Sequence, residues 1–158
     1  MEDIPLDKEL VPENRSDRPP SPVDLALEDI REGDTAAFTR RISNDDVVRF
    51  STLSGDFNPL HTDPDYASTT NYKDPVVHGM FLASLLSRLV GMHLPGRRCL
   101  YLSQSIDFVS PVYVGDEVQV TATVLKKQTE TRTLLLRTEI HVVPDKLALR
   151  GKAHVAVL

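Results

Sequence analysis

Asp56, Asn58 and His61 fall within six residues of one another and are the polar groups best placed to do chemistry in this 158-residue chain. A carboxylate and an imidazole five positions apart can converge on one water molecule, one group taking a proton while the other supplies one. That requires a rigid link between them. Pro59 keeps Asn58 out of the helical region, and Pro64, preceded by Thr62 and Asp63 as candidate caps, opens a short helix containing Tyr66 and Ala67. Asp56 and His61 are therefore expected on a short non-helical link pinned at both ends. Taken alone, a polar residue after Gly55 more often does no more than satisfy a turn. It is the pairing with His61, ahead of an apolar helix with a glycine at its mouth, that favours chemistry.

Two helices must hold this link. Ahead of it, Ser43 reads as an N-cap, with Asp46 completing a capping-box pattern and Asp45 adding charge of the favourable sign. That helix carries Val47, Val48, Phe50 and Leu53 and stops at Gly55. Behind the link, a long helix is expected to begin near Pro75 and to run from about Val76 to Met92 through MFLASLLSRLV. It is apolar on nearly every face, which implies burial all round. Its first turn offers unpaired N–H groups and a positive dipole end suited to an oxyanion, and Gly79 lets a ligand approach the backbone closely. His78 is either a second polar group at the site or a satisfied interior histidine, the latter being favoured. His93 closes the helix and suits its negative end.

Such a helix needs a sheet to wrap it. Arg31 to Asp34 reads as a tight turn into a strand over 35–42, and Asp24 to Ile30 as a short turn before it. CLYLSQSIDF from Cys99, EVQVTATVLKK from Glu117, TLLLRTEIHVV from Thr133 and LALRGKAHVAVL at the end supply four more strands. Val118, Val120, Ala122 and Val124 alternate with Gln119, Thr121 and Thr123, and Pro111, Gly115-Asp116 and Pro144-Asp145 break the runs. His141 and His154 fall on the polar phase and are expected to face solvent. One strand, then helices, then four strands predicts an α+β fold in which a curled, mostly antiparallel sheet wraps one central helix.

Composition bounds the function. A net charge of −5 with 6% aromatic residues lacks the basic face and stacking platforms that nucleic acid requires. Basic pairs remain at Arg97-Arg98 and Lys126-Lys127, where ordinary solvated turns are the commoner reading. The apolar helix is too short to cross a membrane and is broken by Ser84, Ser87 and Arg88. Residues 1–24 hold five prolines and many charges and read as a disordered arm, leaving 25–158 as one domain. The acids from Glu2 to Asp17 are out of place in a mitochondrial transit peptide, and no apolar run there resembles a secretory signal. Cys99 is the only cysteine, so no intrachain disulfide can form, which fits a reducing, cytoplasmic setting. Read as a calcium loop, the link would carry His61 where glycine is needed and Ala67 where glutamate is needed, and no HExxH, paired-cysteine, glycine-rich phosphate or GxSxG signature is present. No metal is expected.

The run Gly55-Asp56-Phe57-Asn58-Pro59-Leu60-His61, with Phe50 and Ser54 ahead and Val77-His78-Gly79-Met80 behind, resembles the MaoC-like (R)-specific enoyl-CoA hydratases of the hot-dog fold. The likeness continues through YLSQSIDFVSPVYVGDEV and covers nearly everything after the arm. It is similar above all to the short, single-unit hydratases that feed polyhydroxyalkanoate synthesis. The resemblance implies that Asp56 and His61 form the catalytic pair, that the Gly79 amide binds the thioester carbonyl, and that no cofactor beyond the substrate's own CoA takes part. Asn58 is expected to orient the loop rather than react. Ser87 matches a position near the pair in the short hydratases, although a small hydroxyl bonded to its own helix is an equal reading. Val90 is expected to help limit the acyl pocket, and one hot-dog unit implies short to medium chains.

Adding water to a 2-enoyl thioester requires a base for the water, an acid for the α-carbon and a home for enolate-like charge, and these residues can supply all three. Which of Asp56 and His61 abstracts and which donates is left open by the sequence. The expected partner is an acyl-CoA or acyl-ACP thioester, and the family implies a homodimer with sheets joined edge to edge. Two alternatives stand beside hydration of enoyl-CoA: a 3-hydroxyacyl-ACP dehydratase, which would need a basic docking surface, and a non-catalytic acyl-thioester-binding subunit.

Overall fold

The computed structural model describes residues 20–158. Most of the expected arm, residues 1–19, lies outside the described residues. Val23 and Asp24, assigned to that arm, are instead tied to the body: the Val23 N–H donates to the Met92 carbonyl, Arg97 N–H donates to the Val23 carbonyl, and Asp24 pairs with Arg98.

Five strands form one antiparallel sheet in the order β1-β3-β4-β5-β2, comprising β1 (Thr35–Arg41), β2 (Cys99–Phe108), β3 (Glu117–Gln128), β4 (Thr133–Val142) and β5 (Lys146–Val157). The alternation in β3 does what its period demands. Val118, Val120, Ala122 and Val124 are buried against the helix layer while their neighbours face outward. His141 and His154 are half-buried rather than free in solvent, because on a curled sheet the side chains of neighbouring strands shade one another.

The helices are α1 (Asn44–Ser54), α2 (Pro59–Thr62), α3 (Pro64–Thr69) and α4 (Gly79–Met92). The α1 cap is the expected capping box: Ser43 Oγ accepts from Asp46 N–H while the Asp46 carboxylate accepts from Ser43 N–H. Asp46 also pairs with Arg40 on β1, tying the helix start to the sheet. At the other end Gly55, at φ 76°, adopts the left-handed conformation that ends the helix.

Helix α4 begins three residues later than its composition implies. Val76 bridges to Tyr113 and Val77 N–H donates to the Val112 carbonyl, so these β-branched residues are extended and His78 becomes the cap residue. Its buried face, Phe81, Leu82, Leu85, Leu86, Leu89 and Val90, forms the centre of the core, each side chain contributing about 1.5–3 kcal/mol by leaving water. Burial all round is not observed. Met80 is 62% exposed, and Ser84, Ser87 and Arg88 lie on the same uncovered side. No helix among the described residues is long and apolar enough to cross a membrane.

Candidate active site

The link between α1 and α3 is built from turn chemistry. Asp56 Oδ1 accepts from Asn58 N–H at 3.1 Å, and Asn58 Oδ1 accepts from Leu60 N–H at 3.0 Å, so Asn58 caps the single turn that Pro59 starts. His61 therefore stands on the one-turn helix α2 and not on an irregular link as expected; an asparagine cap and a proline at the first position suffice to wind one turn. Asp63 caps α3 in the same way, accepting from Asp65 and Tyr66 N–H. Asp56 remains in the non-helical stretch, exposed on the rim of the site.

The ring of His61 is held by its Nδ1, 2.6 Å from the Val76 carbonyl oxygen. A carbonyl oxygen can only accept, so Nδ1 carries a proton and the neutral ring presents its lone pair at Nε2. His78 lies beneath. The two imidazoles stack with centroids 3.9 Å apart at 29°. His78 is 2% exposed, its Nε2 standing 3.1 Å from the Asp56 carbonyl oxygen and 3.3 Å from Ser51 Oγ, while its Nδ1 is buried without a partner among the described residues. Burial pushes the His78 pKa down; protonation would put a second, unpaired N–H into the interior. His78 is thus an interior histidine that also touches both members of the expected pair.

Asp56, His61 and His78 each offer one atom within 4.8 Å of the other two, close enough to suggest a metal site. The stack argues otherwise. Lone pairs lie in the ring planes, and an ion about 2.1 Å from one nitrogen would sit well out of the plane of the other ring. The same closeness suits two groups sharing one water.

Beside these groups opens a cavity of about 360 Å³, lined by Asp56, His61, His78, Gly79, Leu82, Phe108, Val112 and their neighbours. Gly79 is the first residue of α4, and no side chain among the described residues caps that helix, so its first-turn amides face the cavity end unpaired. The absent Cβ matters here: one built on Gly79 would lie 2.7 Å from Phe108 Cε1. The Phe108 ring thus rests on the glycine at the cavity mouth. Sequence reasoning passed over Phe108 and Ser51; the only trace of either was that Phe108 ends a strand just before Pro111.

The remaining expected residues fall elsewhere. Ser87 is exposed on the uncovered side of α4, two turns from Gly79, and does not line the cavity. Val90 is fully buried in the core and does not line it either, because at position 90 the helix has turned that residue toward the sheet.

Residues 29–143 match the family model described as "MaoC like domain". The (R)-specific enoyl-CoA hydratase of Aeromonas caviae is 41% identical over 131 residues, which cover 83% of this chain and 98% of that protein. The enzyme of the same name from Rhodospirillum rubrum is 40% identical, covering 83% and 90%. Among solved structures, the A. caviae (R)-hydratase involved in PHA biosynthesis superposes with a TM-score of 0.79 at 42% identity, covering 82% of this chain and 98% of that one. The unliganded R-hydratase PhaJ1 from Pseudomonas aeruginosa gives 0.81 at 31%, covering 85% and 86%. The five-stranded sheet packed on α4 is the hot-dog fold, and the chain belongs to the MaoC-like family.

Proposed function

We propose that this protein is a hydro-lyase that reversibly adds water to a trans-2-enoyl-CoA to give the (R)-3-hydroxyacyl-CoA, with Asp56 and His61 as the working pair. The observation that carries this reading is the His61 Nδ1 contact with the Val76 carbonyl, which leaves Nε2 as the acceptor of a ring that has a nitrogen within 4.8 Å of the Asp56 carboxylate. Two acceptors grip the two hydrogens of one water and aim its oxygen at the β-carbon. As the oxygen–carbon bond forms, Nε2 takes the proton, the double-bond electrons move toward the thioester oxygen, and the first-turn amide of Gly79 receives that charge. The same Nε2–H then protonates the α-carbon. Every electron pair is accounted for by substrate and water, so the step needs no redox cofactor. The handedness of the product is inferred from the likeness to the (R)-specific enoyl-CoA hydratases of A. caviae and R. rubrum.

CoA is the carrier we favour. One residue of each basic pair expected to dock a carrier protein is already engaged: Arg98 pairs with Asp24 at the far end of α4, and Lys127 Nζ donates to the Ile30 carbonyl. A cavity of about 360 Å³ is at the low end for ligand sites and suits a short to medium acyl chain. The functional form is a homodimer in this reading. Edge strand β2 leaves Leu100, Leu102 and Phe108 about half exposed. Leu102→Arg is expected to lower the sedimentation coefficient to that of one chain. A cytoplasmic setting accords with Cys99 as a free thiol.

The test is the loss of enoyl-thioester absorbance with crotonyl-CoA, run for wild type, Asp56→Asn and His61→Gln. Rapid wild-type turnover with both variants down by about a hundredfold or more supports the pair. Wild-type protein that binds crotonyl-CoA and longer enoyl-CoAs but turns none over would make it a binding subunit.

A further inference from the structure

We propose that His78 is a positioning residue for hydration, its ring setting the plane of His61 and its Nε2–H holding the Asp56 main chain, so that one buried side chain registers both members of the pair against each other. The inference rests on the Asp56–His61 reading above.

The geometry is specific to both contacts. The flat face of His78 stacks on the His61 ring with centroids 3.9 Å apart, and its edge reaches the carbonyl oxygen of Asp56 at 3.1 Å. A carbonyl oxygen only accepts, so Nε2 is the protonated nitrogen of His78, and the buried Nδ1 is the bare one. Ser51 Oγ, itself buried in the last turn of α1, approaches the same Nε2 at 3.3 Å, and the Phe50 ring leans on the imidazole at 5.1 Å. Four segments therefore meet on one side chain: the end of α1, the loop at Asp56, the turn carrying His61, and the start of α4, where His78 immediately precedes Gly79. His61 is otherwise anchored only through Nδ1, a contact that leaves the ring free to rock about that bond. The stacked face removes this freedom. Asp56 is exposed and, apart from the Asn58 N–H that its carboxylate accepts, its position depends on its backbone, which is what His78 grips. A filler histidine in a core needs neither contact.

Two substitutions separate the two roles. His78→Gln places an amide N–H near the Nε2 position but removes the flat face; His78→Phe keeps the face and removes the donor. Wild type and both variants are assayed with crotonyl-CoA beside Asp56→Asn and His61→Gln, and the imidazole C–H resonances of His61, assigned by their loss in His61→Gln, are followed by NMR. Each His78 variant is expected to lower kcat by about tenfold to a hundredfold, as for loss of positioning, with KM within about threefold. The His61 resonances, displaced by the ring current of the stacked partner in wild type, are expected to move in His78→Gln and to stay displaced in His78→Phe. The proposal is overturned by a folded His78 variant with wild-type kcat, by a rise in KM alone, or by wild-type His61 resonances that show no ring-current displacement. That last measurement needs no variant to fold. If Asp56→Asn and His61→Gln keep full activity, the pair itself has failed, whereas an essential pair with dispensable His78 defeats only this inference.

Discussion

Gly79→Ala tests the helix mouth as the thioester site. The new Cβ would fall 2.7 Å from Phe108 Cε1 and 2.9 Å from its Cζ, where a relaxed carbon contact is about 3.5–4.0 Å. The ring must retreat by about 1 Å. Phe108 is 55% exposed at the end of β2, so this movement meets little resistance, and alanine is favoured over glycine in a helix by up to about 1 kcal/mol. The two effects oppose each other, and the melting temperature is expected to change by no more than about 4 °C. Activity responds differently. The methyl stands beside the amide proposed to receive the thioester oxygen, and a substrate held about 1 Å off its reactive position loses about a hundredfold. Steady-state hydration of crotonyl-CoA and a thermal melt on the same preparation give both quantities. Removing the ring as well, in Gly79→Ala with Phe108→Ala, relieves the clash but leaves the methyl in place, so the double variant is expected to stay slow. A folded Gly79→Ala enzyme with near wild-type kcat/KM would refute the placement of the oxyanion at this helix end.

Three further outcomes follow from the same structure. Burial lowers the His78 pKa, so below about pH 6.5, the ordinary histidine value, the unfolded chain binds a proton that the folded chain resists. Stability is therefore expected to be full above that pH and to fall as pH drops toward the depressed folded value; chemical denaturation in His78→Gln should lose this component. Gly151→Ala would drive a Cβ to within 1.8 Å of the Ser105 backbone oxygen across the β2–β5 pair, and because backbone cannot swing aside, a loss of about 3 kcal/mol or more is expected by denaturant titration. Val90→Ala removes two buried methyl groups and should lower stability by about 2 kcal/mol without changing the ratio of rates on short and longer enoyl-CoAs, since Val90 faces the core and not the cavity.

The parts of the fold that could be read from sequence are those governed by local rules. The capping box at Ser43 and Asp46, the glycine stop at Gly55 and the two-residue alternation of β3 all depend on neighbours within a few positions, and each is where expected. The start of α4 was misplaced because apolar character cannot distinguish a helical valine from one paired with a distant strand; Val76 and Val77 are extended through contacts with Tyr113 and Val112, some 35 residues on. The helical turn at His61 leaves no trace in the sequence for a smaller reason, a single turn having too few residues to produce a period. Ser87 and Val90 show the limit of reading roles from position: both sit on the right helix, yet its rotation directs one to the open side and the other to the core.

His78 was the ambiguous case, and its ambiguity has a physical origin. Whether a buried histidine is filler or part of a site depends on what its nitrogens and faces meet, and the partners here, Ser51, Asp56 and His61, come from other segments. Ser51 and Asp56 lie 27 and 22 positions upstream and His61 lies 17 upstream, so no periodicity links them. What folding adds is convergence. The carbonyl of Val76 orders one imidazole through its edge, the ring of His78 orders it through its face, and both anchors belong to the extended lead into the same helix whose first amide faces the cavity. A shift of that lead would move the His61 ring and the first amide of α4 together, the two groups proposed as base and oxyanion site.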